Sequence, residues 1–143
     1  MSNVTFIKGG LFTDERGEIS FVNDFVLNPT KRFYIINNAD TNIIRAWQGH
    51  KIERRWFYCI RGKFDFRLVK INDFDNPKTD LPVEKYILSD KEPGVIAVPK
   101  GYANGFRALE ENSKILVFSD YKLNDNKNDE YRFSKNNWTN WNQ

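Results

Sequence analysis

Along most of the chain, hydrophobic and polar residues alternate with a period near two rather than 3.6, the pattern of strands. Lys63-Phe64-Asp65-Phe66-Arg67-Leu68 alternates most cleanly: Phe64, Phe66 and Leu68 share one face, Asp65 and Arg67 the other. The first face is expected in the core and the second in water. The same pattern predicts strands over 18–25, 32–37, 43–47, 55–60, 85–88, 94–98, 105–109 and 114–121. Turn residues separate them, as in Asp14-Glu15-Arg16-Gly17, Asn37-Asn38-Ala39-Asp40, Arg61-Gly62, Glu92-Pro93-Gly94 and Glu110-Glu111-Asn112-Ser113. Many short strands at this spacing imply an all-β sandwich or barrel. The irregular stretch 72–82, with its prolines Pro77 and Pro82, is expected to be a surface loop. Beyond the polar run 124–129, a short helical turn is expected to pack Tyr131, Trp138 and Trp141 back onto the sheet.

Composition narrows the class. A chain of 143 residues, 40% hydrophobic and 15% aromatic, suits one globular domain over 1–143. The net charge of +3 comes from scattered lysines and arginines, which favours a small anionic ligand over nucleic acid. The first residues lack the apolar stretch of a signal peptide, and no run of about eighteen apolar residues occurs, so a cytoplasmic protein without a membrane span is expected. The lone Cys59, set between Tyr58 and Ile60, suits a reducing compartment and reads as an inert strand thiol. Val4 to Ile7 have the patterning of an exposed strand able to pair with a partner sheet, as in a homodimer.

Chemistry near neutral pH converges on one residue. His50 is the only histidine, and it lies in Arg45-Ala46-Trp47-Gln48-Gly49-His50-Lys51. Gln48 and His50 are two apart, so on a strand they face the same way, toward the interior of a barrel. Strict alternation puts Arg45 on the opposite face, so any role for it beside His50 requires a bulge or loop. Trp47 and Trp56 read as packing residues, and Pro99 and Gly101 as a tight turn.

Three blocks occur in a recognisable order: Lys31-Arg32-Phe33-Tyr34, residues 45–62, and Pro99-Lys100-Gly101-Tyr102-Ala103-Asn104-Gly105-Phe106 running on to Ser119-Asp120-Tyr121. In these blocks the chain resembles the cupin-type dTDP-sugar 3,4-ketoisomerases and, more distantly, the dTDP-4-dehydrorhamnose 3,5-epimerases, over about residues 15–135. The resemblance implies a double-stranded β-helix, the cupin jelly roll, usually dimeric. Against the ketoisomerase motif Arg-Gly-x-His-Ala-His-Lys, Arg45, His50 and Lys51 match, while Ala46, Gln48 and Gly49 stand for the glycine, the first histidine and the alanine. The epimerase base falls at Gln48.

The implied activity is isomerisation or epimerisation of a nucleotide-diphospho-4-keto-6-deoxy sugar. His50 is the expected base for the C3 hydrogen, acidified by the neighbouring carbonyl, with Tyr34 or Tyr121 as acid. Arg32, Arg45, Gln48, Lys51, Arg55 and Asn104 are the expected substrate contacts, arginine being suited to diphosphate by its planar fork. No cofactor is implied. Metal-dependent cupins need three or four converging ligands, and here Gln48 and Asn104 hold two of those positions, leaving His50 with Glu53. Because Gln48 replaces a histidine, the alternative is a catalytically degenerate cupin that binds a sugar nucleotide or carbohydrate without turnover.

Overall fold

The computed structural model describes residues 3–38, 40–125 and 127–143. Its strands are β1 (Thr5–Lys8), β2 (Gly10–Asp14), β3 (Gly17–Phe21), β4 (Arg32–Asn38), β5 (Ile44–His50), β6 (Arg55–Arg61), β7 (Lys63–Lys70), β8 (Val83–Ser89), β9 (Gly94–Val98), β10 (Tyr102–Ala108), β11 (Ser113–Ser119) and β12 (Tyr131–Arg132). They form two five-stranded antiparallel sheets, β1-β9-β6-β11-β4 and β12-β5-β10-β7-β8, and a separate hairpin β2-β3. The two sheets face each other as a jelly roll, the sandwich predicted by the alternation in the form the resemblance implies.

Between the sheets lies an aromatic core. Phe57 of β6, Phe64 and Phe66 of β7, Phe106 of β10 and Ile115 and Val117 of β11 are buried together. Phe57 and Phe66 approach to 4.7 Å between ring centroids, and Phe66 stacks on Phe106 at 5.9 Å. Each such side chain contributes about 1.5–3 kcal/mol by leaving water. Toward one end of the sandwich the inward rows change character in step: Phe57 gives way to Arg55 on β6, Phe106 to Asn104 on β10, and Ile36 to Tyr34 and Arg32 on β4. Polar side chains on several strands therefore meet at that end.

The structure refines the sequence pattern in several places. The strand expected over 18–25 is the second arm of the β2-β3 hairpin and stops at Phe21. The segment around Val4 to Ile7 forms β1, which pairs on one side with β9 of its own chain and stands at the edge of its sheet; the missing side chain of Gly94 makes room for the Phe6 ring, whose Cζ lies 2.1 Å from where a Cβ would stand. The tail forms the short strand β12 against β5 rather than a helical turn, although Trp138 and Trp141 do pack back, at 5.4 and 5.6 Å from Trp47. Arg67 is not in water; it is 1% exposed, sealed beneath the tail, because Asp65 neutralises it and the Trp141 ring covers it. The outer face of β5, β10 and β7 thus carries a second apolar cluster of Trp47, Val69, Ile71, Ala103 and Trp141. No helix among the described residues is long and apolar enough to cross a membrane.

Candidate active site

At the polar end, inward side chains of β4, β5, β6 and β10 line a hollow of about 630 Å³ together with Arg132 of β12. Tyr34, Gln48, Arg55 and Asn104 are in its wall, above the apolar floor of Phe57 and Phe106. A smaller hollow of about 230 Å³, lined by His50 and Glu53, shares Arg32, Tyr34, Gln48 and Arg55 with the first. The shared residues form the partition between the two.

Arg45 reaches the large hollow because of a register shift. Asn104 pairs with Gln48 but Phe106 pairs with Arg45, so β5 carries one residue more than β10 across this interval. Ala46 and Trp47 both join the outer apolar cluster, and Arg45 returns to the interior side. The bulge required for a role of Arg45 beside His50 is present.

His50 ends β5, 8% exposed. Its carbonyl accepts the Gly101 N–H at 2.7 Å, which ties the Pro99-Lys100-Gly101 turn to the site; Gly101 stands at φ +88°, where a side chain would be strained. Around its ring are Arg55 of β6, Glu53 of the loop between β5 and β6, and Asp129 just before β12. Arg55 donates from Nη1 to Tyr34 Oη at 2.9 Å and to Gln48 Oε1 at 3.1 Å, pairs through Nε with Glu53 at 3.1 Å, and sets Nη2 against His50 Nε2. Asp129 accepts the backbone N–H groups of Lys51 at 2.7 Å and of Ile52 and Glu53 at 3.1 and 2.9 Å, and its carboxylate lies 3.6 Å from His50 Nδ1.

Electrostatics keep this imidazole neutral. Burial, followed by the Arg55 charge, lowers the His50 pKa from 6.5 to about 3, against the opposing pull of Asp129 and Glu130. The carboxylates of Glu53 and Asp129 therefore face a neutral ring at pH 7, and Glu53 is neutralised by Arg55 instead. Guanidinium carries only donors, so the ring nitrogen it meets must be the acceptor and the ring proton sits on Nδ1, toward Asp129.

Of the residues expected from sequence, Arg32, Tyr34, Arg45, Gln48, Arg55 and Asn104 line the large hollow, and His50 lines the smaller one beside them. Two lie elsewhere. Tyr121 lines neither hollow: β11 ends at Ser119, whose hydroxyl accepts the Tyr121 N–H at 3.1 Å, and Asp120 turns away to pair with Arg54 at 2.9 Å. Lys51 points outward, its Nζ 5.2 Å from the Tyr131 ring centroid and 5.8 Å from that of Phe74. Sequence reasoning missed Asp129, Glu130 and Arg132, which arrive on the tail. Glu130 accepts from Gln48 Nε2 at 3.0 Å and pairs with Arg132. The spacing of Tyr131 and Phe133 by two was the one available sign of a strand there. Among the described residues no group of three or more His, Cys, Asp or Glu is arranged to hold a metal ion.

Comparison with known proteins places this geometry among relatives. A family model described as FdtA: WxcM-like, C-terminal, matches residues 2–140. No match was found among curated proteins. Among solved structures, QdtA, a sugar 3,4-ketoisomerase from Thermoanaerobacterium thermosaccharolyticum in complex with TDP, superposes with a TM-score of 0.72 at 22% identity, over 93% of this chain and 90% of that one. The WlaRB TDP-quinovose 3,4-ketoisomerase from Campylobacter jejuni gives 0.69 at 22% identity, over 93% and 95%. A dTDP-4-dehydrorhamnose 3,5-epimerase from Bacillus anthracis, with TDP and PPi bound, gives 0.77 at 19%, over 94% and 80%. At these identities the likeness establishes the fold, the cupin jelly roll.

Proposed function

The chain belongs to the FdtA, WxcM-like C-terminal family, and we propose that it isomerises or epimerises a nucleotide-diphospho-4-keto-6-deoxy sugar. The observation that carries this is a neutral, buried imidazole on the smaller hollow, next to a larger hollow lined by Arg32 and Arg45, two guanidinium groups with no carboxylate partner among the described residues. Two uncompensated cations match the charge of a diphosphate, and the planar fork of each suits its oxygens. The larger hollow, with Ile36, Ile43 and Ile44 on its walls, takes the nucleotide diphosphate, and the smaller one takes the sugar beside His50. The solved relatives that carry TDP favour the same class of ligand.

In the proposed reaction His50 Nε2 removes the hydrogen from C3, the C–H electron pair forms the C3–C4 double bond, and the C4 carbonyl oxygen becomes anionic. Arg55 is the cation for that oxygen, and Tyr34, held at 2.9 Å from the guanidinium, is the hydroxyl that exchanges a proton with the sugar oxygens. Return of the proton from His50 to C4, with C3–OH becoming the carbonyl, is 3,4-ketoisomerisation. Return of a proton to the opposite face of C3 is epimerisation. No step needs a metal ion, and the donors that could hold one are engaged: Asp129 by backbone N–H groups, Glu53 by Arg55. Activity is therefore expected to survive chelation.

Incubation with dTDP-4-keto-6-deoxyglucose in D2O, followed by proton NMR, tests this. A 3-keto product, with hydrogen transferred from C3 or solvent deuterium at C4, identifies the ketoisomerase, and deuterium at C3 of an inverted product identifies the epimerase. Binding of the nucleotide sugar with neither outcome shows a binder without turnover, and absence of binding removes the assignment. The proposed assembly is a homodimer, supported by the apolar side chains Phe33 and Ile35, 63% and 49% exposed on the sheet-edge strand β4. A monomer in sedimentation at micromolar concentration contradicts it. The buried, unpaired Cys59, its pKa pushed up to about 12 by burial, suits a cytoplasmic setting.

A further inference from the structure

Resting on the functional reading above, we infer that Arg55 is a ligand-responsive cap on His50: its guanidinium engages the imidazole lone pair, and an anionic ligand draws it away and frees the base. Nε2 accepts from Arg55 Nη2. Nδ1 holds the ring proton on the side of Asp129, whose carboxylate is 3.6 Å away. A nitrogen whose lone pair is already engaged cannot take a proton from carbon. His50 is therefore positioned but masked.

Arg55 is built to move at one end only. Its Nε is anchored to the buried Glu53 carboxylate at 3.1 Å, while Nη1 and Nη2 serve neutral acceptors: Tyr34 Oη, Gln48 Oε1 and His50 Nε2. A hydrogen bond from guanidinium to an anionic oxygen is about twice as strong as one to a neutral acceptor. A diphosphate oxygen thus outcompetes those acceptors without displacing the anchor. The position also fits, because Arg55 stands in the partition and borders both hollows. The other charged groups facing the ring are Glu53, Asp129, Glu130 and Arg132, with Lys127 across the smaller hollow. Arg55 is the one of these that touches Nε2.

Because the chain has a single histidine, the imidazole signals of the intact labelled protein report this site alone. Nitrogen-15 correlation spectra at pH 7 are expected to show the Nδ1–H tautomer, and the His50 titration midpoint is expected to rise by about one pH unit when TDP saturates the protein. Arg55→Gln is expected to raise the midpoint with no ligand present, and Arg55→Lys, which keeps the charge but loses the fork, to raise it less. Circular dichroism establishes that each variant is folded, and the lysine variant carries the test where the glutamine variant is not. An Nε2–H tautomer in the empty protein, an unchanged midpoint in both variants, or TDP binding that leaves His50 unmoved each overturns the cap. Failure of TDP to bind in calorimetry defeats the functional reading instead, with the ligand-free variants still deciding whether Arg55 masks His50.

Discussion

Arg55 and Arg67 are both buried arginines on neighbouring inward and outward faces of the same sandwich, and they are finished differently. Arg67 uses all five of its donors on permanent partners: Asp65 through Nε and Nη2 at 2.9 and 2.8 Å, Thr139 Oγ1 at 2.6 Å, and the carbonyls of Asn140 and Gln143 at 2.9 and 3.3 Å. The Trp141 ring, 4.5 Å from the guanidinium carbon, closes it off. Arg55 has one charged anchor, Glu53, and otherwise neutral acceptors beside open space. Burial alone does not separate a clamp from a working group. The nature of the acceptors and the presence of a hollow do.

The largest expected effect lies on the Arg55 side. His50→Asn keeps a polar side chain of similar reach but removes the base, so proton exchange into the sugar is expected to fall by about 10²–10⁴-fold while TDP affinity, carried by the arginines, changes little. Deuterium incorporation and calorimetry on the same preparation check both halves, and unchanged exchange would make His50 structural. On the other side, Arg67→Met strips the clamp and leaves Asp65 and the tail carbonyls without their donor. A loss of about 3–5 kcal/mol in urea unfolding is expected, with the His50 tautomer untouched. A change in that tautomer would mean that the clamp and the site are coupled.

The smallest effect is a slope. The folded-state His50 pKa of about 3 lies below the ordinary value of 6.5, so between these values the unfolded chain binds a proton that the folded chain does not. This contribution to stability is full above pH 6.5 and is lost as the pH falls toward 3, at up to about 1.4 kcal/mol per pH unit. His50→Asn is expected to flatten that part of the stability profile, whereas Arg67→Met should lower the profile and keep its slope. Parallel profiles for wild type and His50→Asn would contradict the buried, neutral ring.

The same contrast explains what could be read from the chain. The strands, the two-sheet sandwich and the shared face of Gln48 and His50 follow from local alternation, whereas Tyr34 and Asn104, which line the same hollow as Gln48 and Arg55, were singled out by the family resemblance. Features made by distant partners were not legible. Arg67 looks solvated until the tail is laid over it, and Arg45 faces inward only because β5 bulges against β10. Asp129 meets backbone N–H groups of Lys51 to Glu53, which every sequence supplies, so no residue pattern near His50 announces it. The two-residue strand β12 leaves no periodic sign beyond the single pair Tyr131 and Phe133. Tyr121 was misplaced for the converse reason: alternation continues past Ser119 in the sequence, but the strand does not.

The Asp129 contacts span 76 to 78 positions of sequence, which bears on the order in which a newly made chain matures. The pairs of β1 with β9 and of β4 with β11 close loops of similar length, so the Asp129 contacts come late because Asp129 follows all of those strands along the chain. A ribosome-bound chain that has released β5, β6 and β10 can already pair its sheets, yet the N–H groups of Lys51 to Glu53 still bond to water and His50 remains an ordinary solvated imidazole. Only when residues 129–132 dock does the ring become shielded from solvent. The barrel can form before the chemistry it houses, and an unfinished chain is born without a competent site.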